Sequence, residues 1–178
     1  MTLTDKDPDT ALSNAKRLLS AGADSIKLEG AKVEVISHLV ANDVPVVGHT
    51  GLTPQTAKSF RKVGDTTIEA ERVKHDAKKI HEAGAFMLVL EHIPHELACQ
   101  ITNELPIPTI GIGAGTKCDG QVLVINDALG FGDYWPPFSK QYSHINEVVT
   151  QVAKDYRSEV ECEVFPKNII AMTATNKP

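Results

Sequence analysis

The sequence predicts an α/β fold in which helices alternate with the strands of a parallel sheet. Helical patterns of roughly ten to twenty residues separate short apolar segments, which is the arrangement of βα units. The chain also repeats one plan, because SAGADSIKLEG and EAGAFMLVLEH each run from a helix end through Ala-Gly-Ala and a strand to an acidic residue. In such folds ligands bind at the carboxyl ends of the strands.

The helices are predicted from their apolar stripes and end signals. The first begins near Pro8 and ends at Gly22, and the third opens with a capping box that pairs Thr66 with Glu69. The predicted helical segments are PDTALSNAKRLLSAG, VEVISHLVAND, TTIEAERVKHDAKKIHEAG, ELACQITNEL and about 145–160.

Four strands are predicted with clear boundaries, and a fifth is a weaker candidate. The four are DSIKLEG, VPVVGHTG, AFMLVLE and IPTIGIGAG, and the fifth is QVLVIN. We expect residues 1–165 to form one domain and residues 166–178 to form a loosely ordered tail.

The composition predicts an ordinary globular protein of the cytosol. The 178 residues are 42% hydrophobic and 23% charged, and the net charge of -5 argues against a nucleic-acid partner. The three cysteines show no disulfide or zinc spacing, and the N-terminal residues have neither signal-peptide nor transit-peptide character. No apolar run approaches the ~18 residues of a membrane span, so we expect no membrane partner.

Polar residues gather where the predicted strands end. Glu29, His49 and Glu91 lie at three of these ends, and GIGAG at 111–115 lies at a fourth. Side chains alternate along a strand, so Lys27 shares the face of Glu29. If the alternate apolar residues face the helices, all four polar side chains lie on the inner face of the sheet, together with the glycines of the GIGAG loop.

Each of these features also has a structural interpretation. Lys27 and Glu29 could form an ion pair at a strand end, His49 could be a buried structural histidine, and GIGAG could be a tight turn rather than an anion site. The pair His92-x-x-His95 follows a strand and is interrupted by a proline, which argues against the helical spacing of a metalloprotease.

Glu91 is the strongest single candidate for catalysis. It ends the apolar strand FMLVLE, and a carboxylate at the rim of a pocket with apolar walls is suited to act as a general base. From the residues alone, the chain is predicted to be an α/β enzyme that acts on a small anionic substrate, with the reaction left open.

Longer motifs make a family resemblance visible. The segments KLEG, GHTGLTPQ, LVLEHIPHELA, IPTIGIGAG and CDGQVLVINDALG resemble the ketopantoate hydroxymethyltransferase family, and the similarity runs almost continuously from Pro8 to about Phe165. The resemblance implies a (β/α)₈ TIM barrel that transfers a hydroxymethyl group from 5,10-methylenetetrahydrofolate to 2-oxoisovalerate, with Mg²⁺ as cofactor.

The resemblance also implies roles for the candidate residues. Glu91 would remove the C3 proton of the keto acid, Lys27 and His49 would contact the substrate, and Glu29 would belong to the metal site. It further implies a homo-oligomer.

The chain departs from the family pattern in ways that leave alternatives. The predicted strands match the fourth to eighth of the family, so we expect an incomplete barrel of four to five parallel βα units, and no Gly-Asp-Ser motif occurs in the sequence. One alternative is a non-catalytic fragment that binds a small anion or associates with full-length subunits. Another is a lyase or mutase that acts on other α-keto acids.

Overall fold

A computed structural model describes residues 7–166, which belong to two compact units with a boundary after Val122. The sheet and all candidate residues lie in the first unit. The predicted tail, 166–178, lies outside the described residues except for Pro166.

Helices and strands alternate from the first helix to the fourth strand, as the sequence predicts. The helices are α1 (Pro8–Ser20), α2 (Val33–Val40), α3 (Thr67–Glu82), α4 (His95–Glu104), α5 (Ile125–Leu129) and α6 (Ile145–Glu161). The strands are β1 (Ile26–Lys27), β2 (Val46–Gly51), β3 (Met87–Glu91), β4 (Thr109–Ile112) and β5 (Gly120–Gln121). No helix within residues 7–166 has the length and apolar character needed to cross a bilayer.

The five strands form one parallel sheet in the order β1-β2-β3-β4-β5. Each strand therefore pairs with the next one along the chain, as successive strands of a βα barrel do. The expected fold class, a set of parallel βα units from an incomplete TIM barrel, is confirmed. The carboxyl ends of the strands meet at one edge of the sheet.

The ends of the first and third helices explain the repeated Ala-Gly-Ala plan. Both Gly22 and Gly84 have φ of +99°, in the left-handed region, and each follows the residue that caps the helix. Glycine adopts this conformation without the steric cost of a Cβ atom. At the other end of α1, the side chain of Asp7 accepts a hydrogen bond from the backbone N–H of Thr10 at 2.9 Å.

The core lies between the sheet and the helices. The strand residues that face the helices are buried with the apolar stripes of α2, α3 and α4, and among the most completely buried side chains are Ile36, Leu39, Val46, Ile80, Leu88, Leu90 and Ile101. Burial of such side chains is the main favourable contribution to folding. The helix-facing side of the sheet is therefore closed to solvent. The opposite side is the face that remains available to a ligand.

The prediction for QVLVIN as a strand is wrong beyond its first residue. Strand β5 ends at Gln121, and the backbone N–H of Val122 makes a last bond to the carbonyl of Gly111. Helix α5 then begins at Ile125, where the carbonyl of Val124 accepts from the N–H of Ala128. Apolar content alone does not distinguish a short strand from a short helix.

The predicted orientation of β4 is also wrong. Partners in a parallel register point to the same face of the sheet, and the register pairs Leu88 with Thr109 and Glu91 with Ile112. Thr109 therefore faces α4, where its hydroxyl lies 2.8 Å from the hydroxyl of Thr102. Isoleucines, not the glycines of the GIGAG loop, share the inner face with Glu91.

Candidate active site

The structure brings the four predicted site residues together at the carboxyl edge of the sheet. Lys27 Nζ lies 3.0 Å from His49 Nδ1, and His49 Nε2 lies 3.1 Å from Glu91 Oε2. His49 Nδ1 is also 3.8 Å from Glu29 Oε2. The imidazole is the centre of the cluster, since it contacts the other three side chains and is only 1% exposed.

Hydrogen-bond chemistry defines the tautomer of His49. A lysine ammonium has donors and no acceptor, so His49 Nδ1 must accept the hydrogen from Lys27 Nζ. In a neutral imidazole the proton then sits on Nε2, which faces the carboxylate of Glu91. The Nε2 approach to Glu91 is close, but it lacks the alignment of a formed hydrogen bond. The cluster is therefore arranged as an ammonium, an imidazole and a carboxylate in series.

Glu29 is held by a contact that the sequence did not reveal. Its Oε1 accepts a hydrogen bond of 2.8 Å from the backbone N–H of Gln55, although the two residues are 26 positions apart. Gln55 lies in a tight turn in which the carbonyl of Thr53 accepts from the N–H groups of Thr56 and Ala57. The sequence shows the Thr-Pro-Gln motif, but a backbone donor leaves no side-chain signal.

Apolar side chains form the wall beside Glu91. Val89 is buried and Met87 is half-buried on the same face of β3, as the period of two predicts. The register adds Ile110 and Ile112 from β4. The surroundings of the Glu91 carboxylate are therefore asymmetric. Apolar side chains lie on β3 and β4, whereas the imidazole of His49 lies on β2.

The loop between β2 and α3, residues 52–66, is fastened to the end of β3. The backbone N–H of Leu52 donates to the carbonyl of Glu91 at 2.8 Å, and the N–H of Val63 donates to the carbonyl of His92 at 2.9 Å. His92 itself has φ of +48°, and partial burial lowers the pKa of its imidazole. The loop therefore connects the segment that holds Glu29 with the segment that carries Glu91.

The GIGAG loop bends sharply after β4 and packs against Gln121 and His95. The carbonyl of Gly115 accepts from Gln121 Nε2 at 2.9 Å, and a Cβ added at Gly115 would lie 2.2 Å from His95 Nδ1. This close approach explains the glycine at that position, where φ is +80°. His95 is the first residue of α4, and its imidazole lies against Gly115.

The residues of the cluster do not by themselves fit a magnesium site. Within residues 7–166, no group of three or more His, Cys, Asp or Glu side chains is arranged to hold a metal ion. One oxygen of Glu29 is already occupied by the amide of Gln55. Magnesium needs a near-octahedral set of oxygen ligands, and Glu29 supplies at most one carboxylate of that set.

Comparisons with known proteins agree with the motifs. The sequence profile of the ketopantoate hydroxymethyltransferase family matches residues 1–168. Proteins named 3-methyl-2-oxobutanoate hydroxymethyltransferase are similar to the chain: that of Cyanothece sp. is 45% identical over 90% of this chain, and that of Pyrobaculum islandicum is 43% identical over 89%. The protein of that name from Clostridioides difficile is 45% identical, again over 89% of the chain.

The matched region is shorter than these relatives. It covers 64% of the Cyanothece protein, 63% of the Pyrobaculum protein and 60% of the Clostridioides protein. The profile nevertheless spans almost the whole of this sequence, including every residue of the cluster around His49. The chain belongs to the ketopantoate hydroxymethyltransferase family.

Proposed function

We propose that the chain contributes the proton-abstracting half of a site that transfers a hydroxymethyl group from 5,10-methylenetetrahydrofolate to 2-oxoisovalerate. The observation that supports this most directly is the series Lys27–His49–Glu91, with separations of 3.0 and 3.1 Å, at the carboxyl edge of a parallel sheet. Family membership supports the choice of this reaction, and the geometry supports the role proposed for each side chain.

Glu91 is the proposed base. With an apolar wall on one side, its carboxylate can take the proton from C3 of the keto acid. His49 Nε2 lies 3.1 Å from that carboxylate and would donate to it after a small realignment, as catalytic hydrogen bonds often do only when substrate is bound. Lys27 would hold the imidazole in position through Nδ1. Lys27 uses one of its three N–H donors on His49, which leaves two for the oxygen atom on which negative charge develops.

Charge balance supports a cation requirement. Lys27 carries one positive charge and Glu29 and Glu91 carry one negative charge each, so the cluster has a formal charge of about -1 before an anionic keto acid enters. We infer that Mg²⁺ accompanies the substrate, with Glu29 as one ligand and the other ligands coming from outside the cluster. Folate as co-substrate, a homo-oligomer and a cytosolic location remain predictions from the resemblance and the composition.

A second candidate function is association with other subunits of the family, without catalysis by the chain alone. Strands β1 and β5 each pair on one side only among the described residues, so both edges of the sheet offer backbone groups to a further strand. Such edges favour a chain that joins other subunits of the family. In that case the site would become active only in the assembly.

Deuterium exchange at C3 of 2-oxoisovalerate tests the proposal. The chain is incubated with the keto acid and Mg²⁺ in deuterium oxide, and loss of the C3 proton is followed by NMR. Glu91→Gln should lower the exchange rate by about 10²–10⁴-fold, the usual contribution of a general base. The matched control is Glu104→Gln, which neutralises an exposed carboxylate at the end of α4 and should leave the rate unchanged.

The two candidates predict different results. Exchange by the chain alone that depends on Glu91 supports catalysis. A folded, monodisperse chain without exchange contradicts it for this chain alone. Exchange that appears only after addition of a full-length family member whose own equivalent of Glu91 is replaced by Gln supports association instead.

A further inference from the structure

Glu69 makes contacts that its predicted role as a capping residue does not explain. The N-cap half of the capping box is present, since Thr66 Oγ1 accepts from the N–H of Glu69 at 3.3 Å. In the reciprocal half, the Glu69 carboxylate would accept from the N–H of Thr66. The structure places that carboxylate on Arg61 and Gly64 instead.

These contacts close the β2–α3 loop. Both terminal guanidinium nitrogens of Arg61 donate to Glu69, Nη2 to Oε1 by a short contact and Nη1 to Oε2 at 3.4 Å. Glu69 Oε2 also accepts from the backbone N–H of Gly64 at 3.2 Å. Arg61 Nη1 in turn donates to the carbonyl of Lys62 at 2.9 Å. The side chain of Glu69, at the start of α3, thus anchors the part of the loop from Arg61 to Gly64.

The carboxylate is well suited to this role. Bidentate pairing with a guanidinium fixes geometry as well as charge, which a single surface ion pair does not. The Arg61 guanidinium, followed by the Gly64 amide, lowers the pKa of Glu69 to about 2. The group therefore stays ionised at every pH at which the protein would be assayed.

The closed loop carries the donor that holds Glu29. Its first part contains the turn at Thr53–Ala57, from which the N–H of Gln55 reaches Glu29 Oε1 at 2.8 Å. Its second part contains Val63, which is bonded to the segment after Glu91. Without the Glu69–Arg61 contacts, the segment between the turn and Val63 would be held only at its two ends, and the N–H of Gln55 would hold the carboxylate of Glu29 less firmly.

We propose that the Glu69–Arg61 pair is a positioning device of the site, which holds the β2–α3 loop closed so that the Gln55 amide fixes the carboxylate of Glu29. Its catalytic significance rests on the proposed function, whereas the positioning itself does not. Glu69 and Arg61 are positioning residues, because neither contacts the cluster around His49.

Amide hydrogen exchange measured residue by residue tests the proposal directly. In Glu69→Gln and in Arg61→Gln, exchange at the Gln55 amide should become about tenfold faster, because a hydrogen bond to a charged acceptor loses its fixed geometry. The amide of Leu88, which bonds within the sheet to the carbonyl of Pro108, should not change. The matched control is Glu71→Gln, which removes a carboxylate that pairs with Lys74 on the same helix.

Three further comparisons test the same interpretation. Glu29→Gln weakens the acceptor itself, and it should accelerate exchange at Gln55 by at least as much as the loop variants do. Chymotrypsin cleavage after Phe60, whose side chain is 66% exposed, should be faster in Glu69→Gln and Arg61→Gln than in the wild type and in Glu71→Gln. Arg61→Lys keeps the charge and should restore part of the protection.

The outcomes separate positioning from general stability and from catalysis. Unchanged exchange at Gln55 in both loop variants would overturn the proposal, and so would an equal acceleration of the Gln55 and Leu88 amides, since that indicates loosening of the whole fold. Neither readout requires an active enzyme. If the two loop variants accelerate exchange at Gln55 and the wild-type chain shows no C3 exchange, the proposed function is contradicted and the positioning role is supported.

Discussion

Gly48→Ala tests the contact that fixes β2, and with it His49, against α3. A Cβ atom at Gly48 would lie 2.1 Å from Ile80 Cγ2, whereas non-bonded carbons prefer about 3.5 Å. Strand and helix would have to separate by roughly 1.4 Å, the difference between these two distances. Ile80 is fully buried and cannot swing aside, so we expect a loss of about 2–3 kcal/mol in the free energy of unfolding.

A compensating substitution makes the test specific. Ile80→Ala removes Cγ2, and the closest remaining atom of that side chain, Cβ, is 3.4 Å from the new methyl group, an ordinary contact. Ile80→Ala alone should cost about 2–5 kcal/mol, but the double variant should cost about 1–3 kcal/mol less than the sum of the two. Ile36→Ala is the control, because Ile36 is also fully buried but lies on α2. Its loss in the free energy of unfolding should add to that of Gly48→Ala.

Urea unfolding followed by far-UV circular dichroism measures all of these differences. The reasoning fails if Gly48→Ala is neutral, or if its effect adds to that of Ile80→Ala as it does to that of Ile36→Ala. A shift of β2 would also move the imidazole of His49 relative to Glu91, so the single variant should lose C3 exchange and the double variant should recover part of it.

Two further predictions concern protons. The backbone N–H of Thr109, followed by its hydroxyl, lowers the pKa of Asp119, so this carboxylate stabilises the fold above its unfolded value near 4 and the benefit disappears as the pH falls through the lower folded value. The stability difference between the wild type and Asp119→Asn should thus be present at pH 7 and should shrink below about pH 4 in urea unfolding; a constant difference contradicts this. For His49, ¹⁵N NMR should find the proton on Nε2, and a proton on Nδ1 would rule out the bond from Lys27.

The sequence was sufficient for the alternation of helices and strands and for the meeting of the four polar side chains. Parallel strands bring their carboxyl ends to one edge, so any residue that ends a strand must lie near the others. This argument uses the order of elements and the direction of the strands, both of which follow from local patterns. It holds even though β1 is only two residues long and Glu29 lies beyond its end.

The orientation of β4 could not be derived in the same way. A period of two says which residues share a face, but the choice of face depends on what each set meets. In TIGI, apolar residues alternate with Thr109 and Gly111, and the usual rule would turn the isoleucines toward the helices. Thr109 instead faces α4 because Thr102 and Asp119 satisfy its hydroxyl there, a set of contacts between residues up to ten positions apart.

The role of Glu69 shows why a correct local pattern can still give an incomplete function. The pattern Thr66 to Glu69 predicts the start of α3 correctly, because the N-cap bond depends on residues three apart. The carboxylate of Glu69, however, has two possible sets of donors, the N–H of Thr66 and the groups on Arg61 and Gly64. The second set comes within reach only when the loop has folded back from β2, and a charged, bidentate donor then outcompetes a single neutral amide. Residues that position a site through a loop are therefore the ones that local patterns assign to a purely structural role.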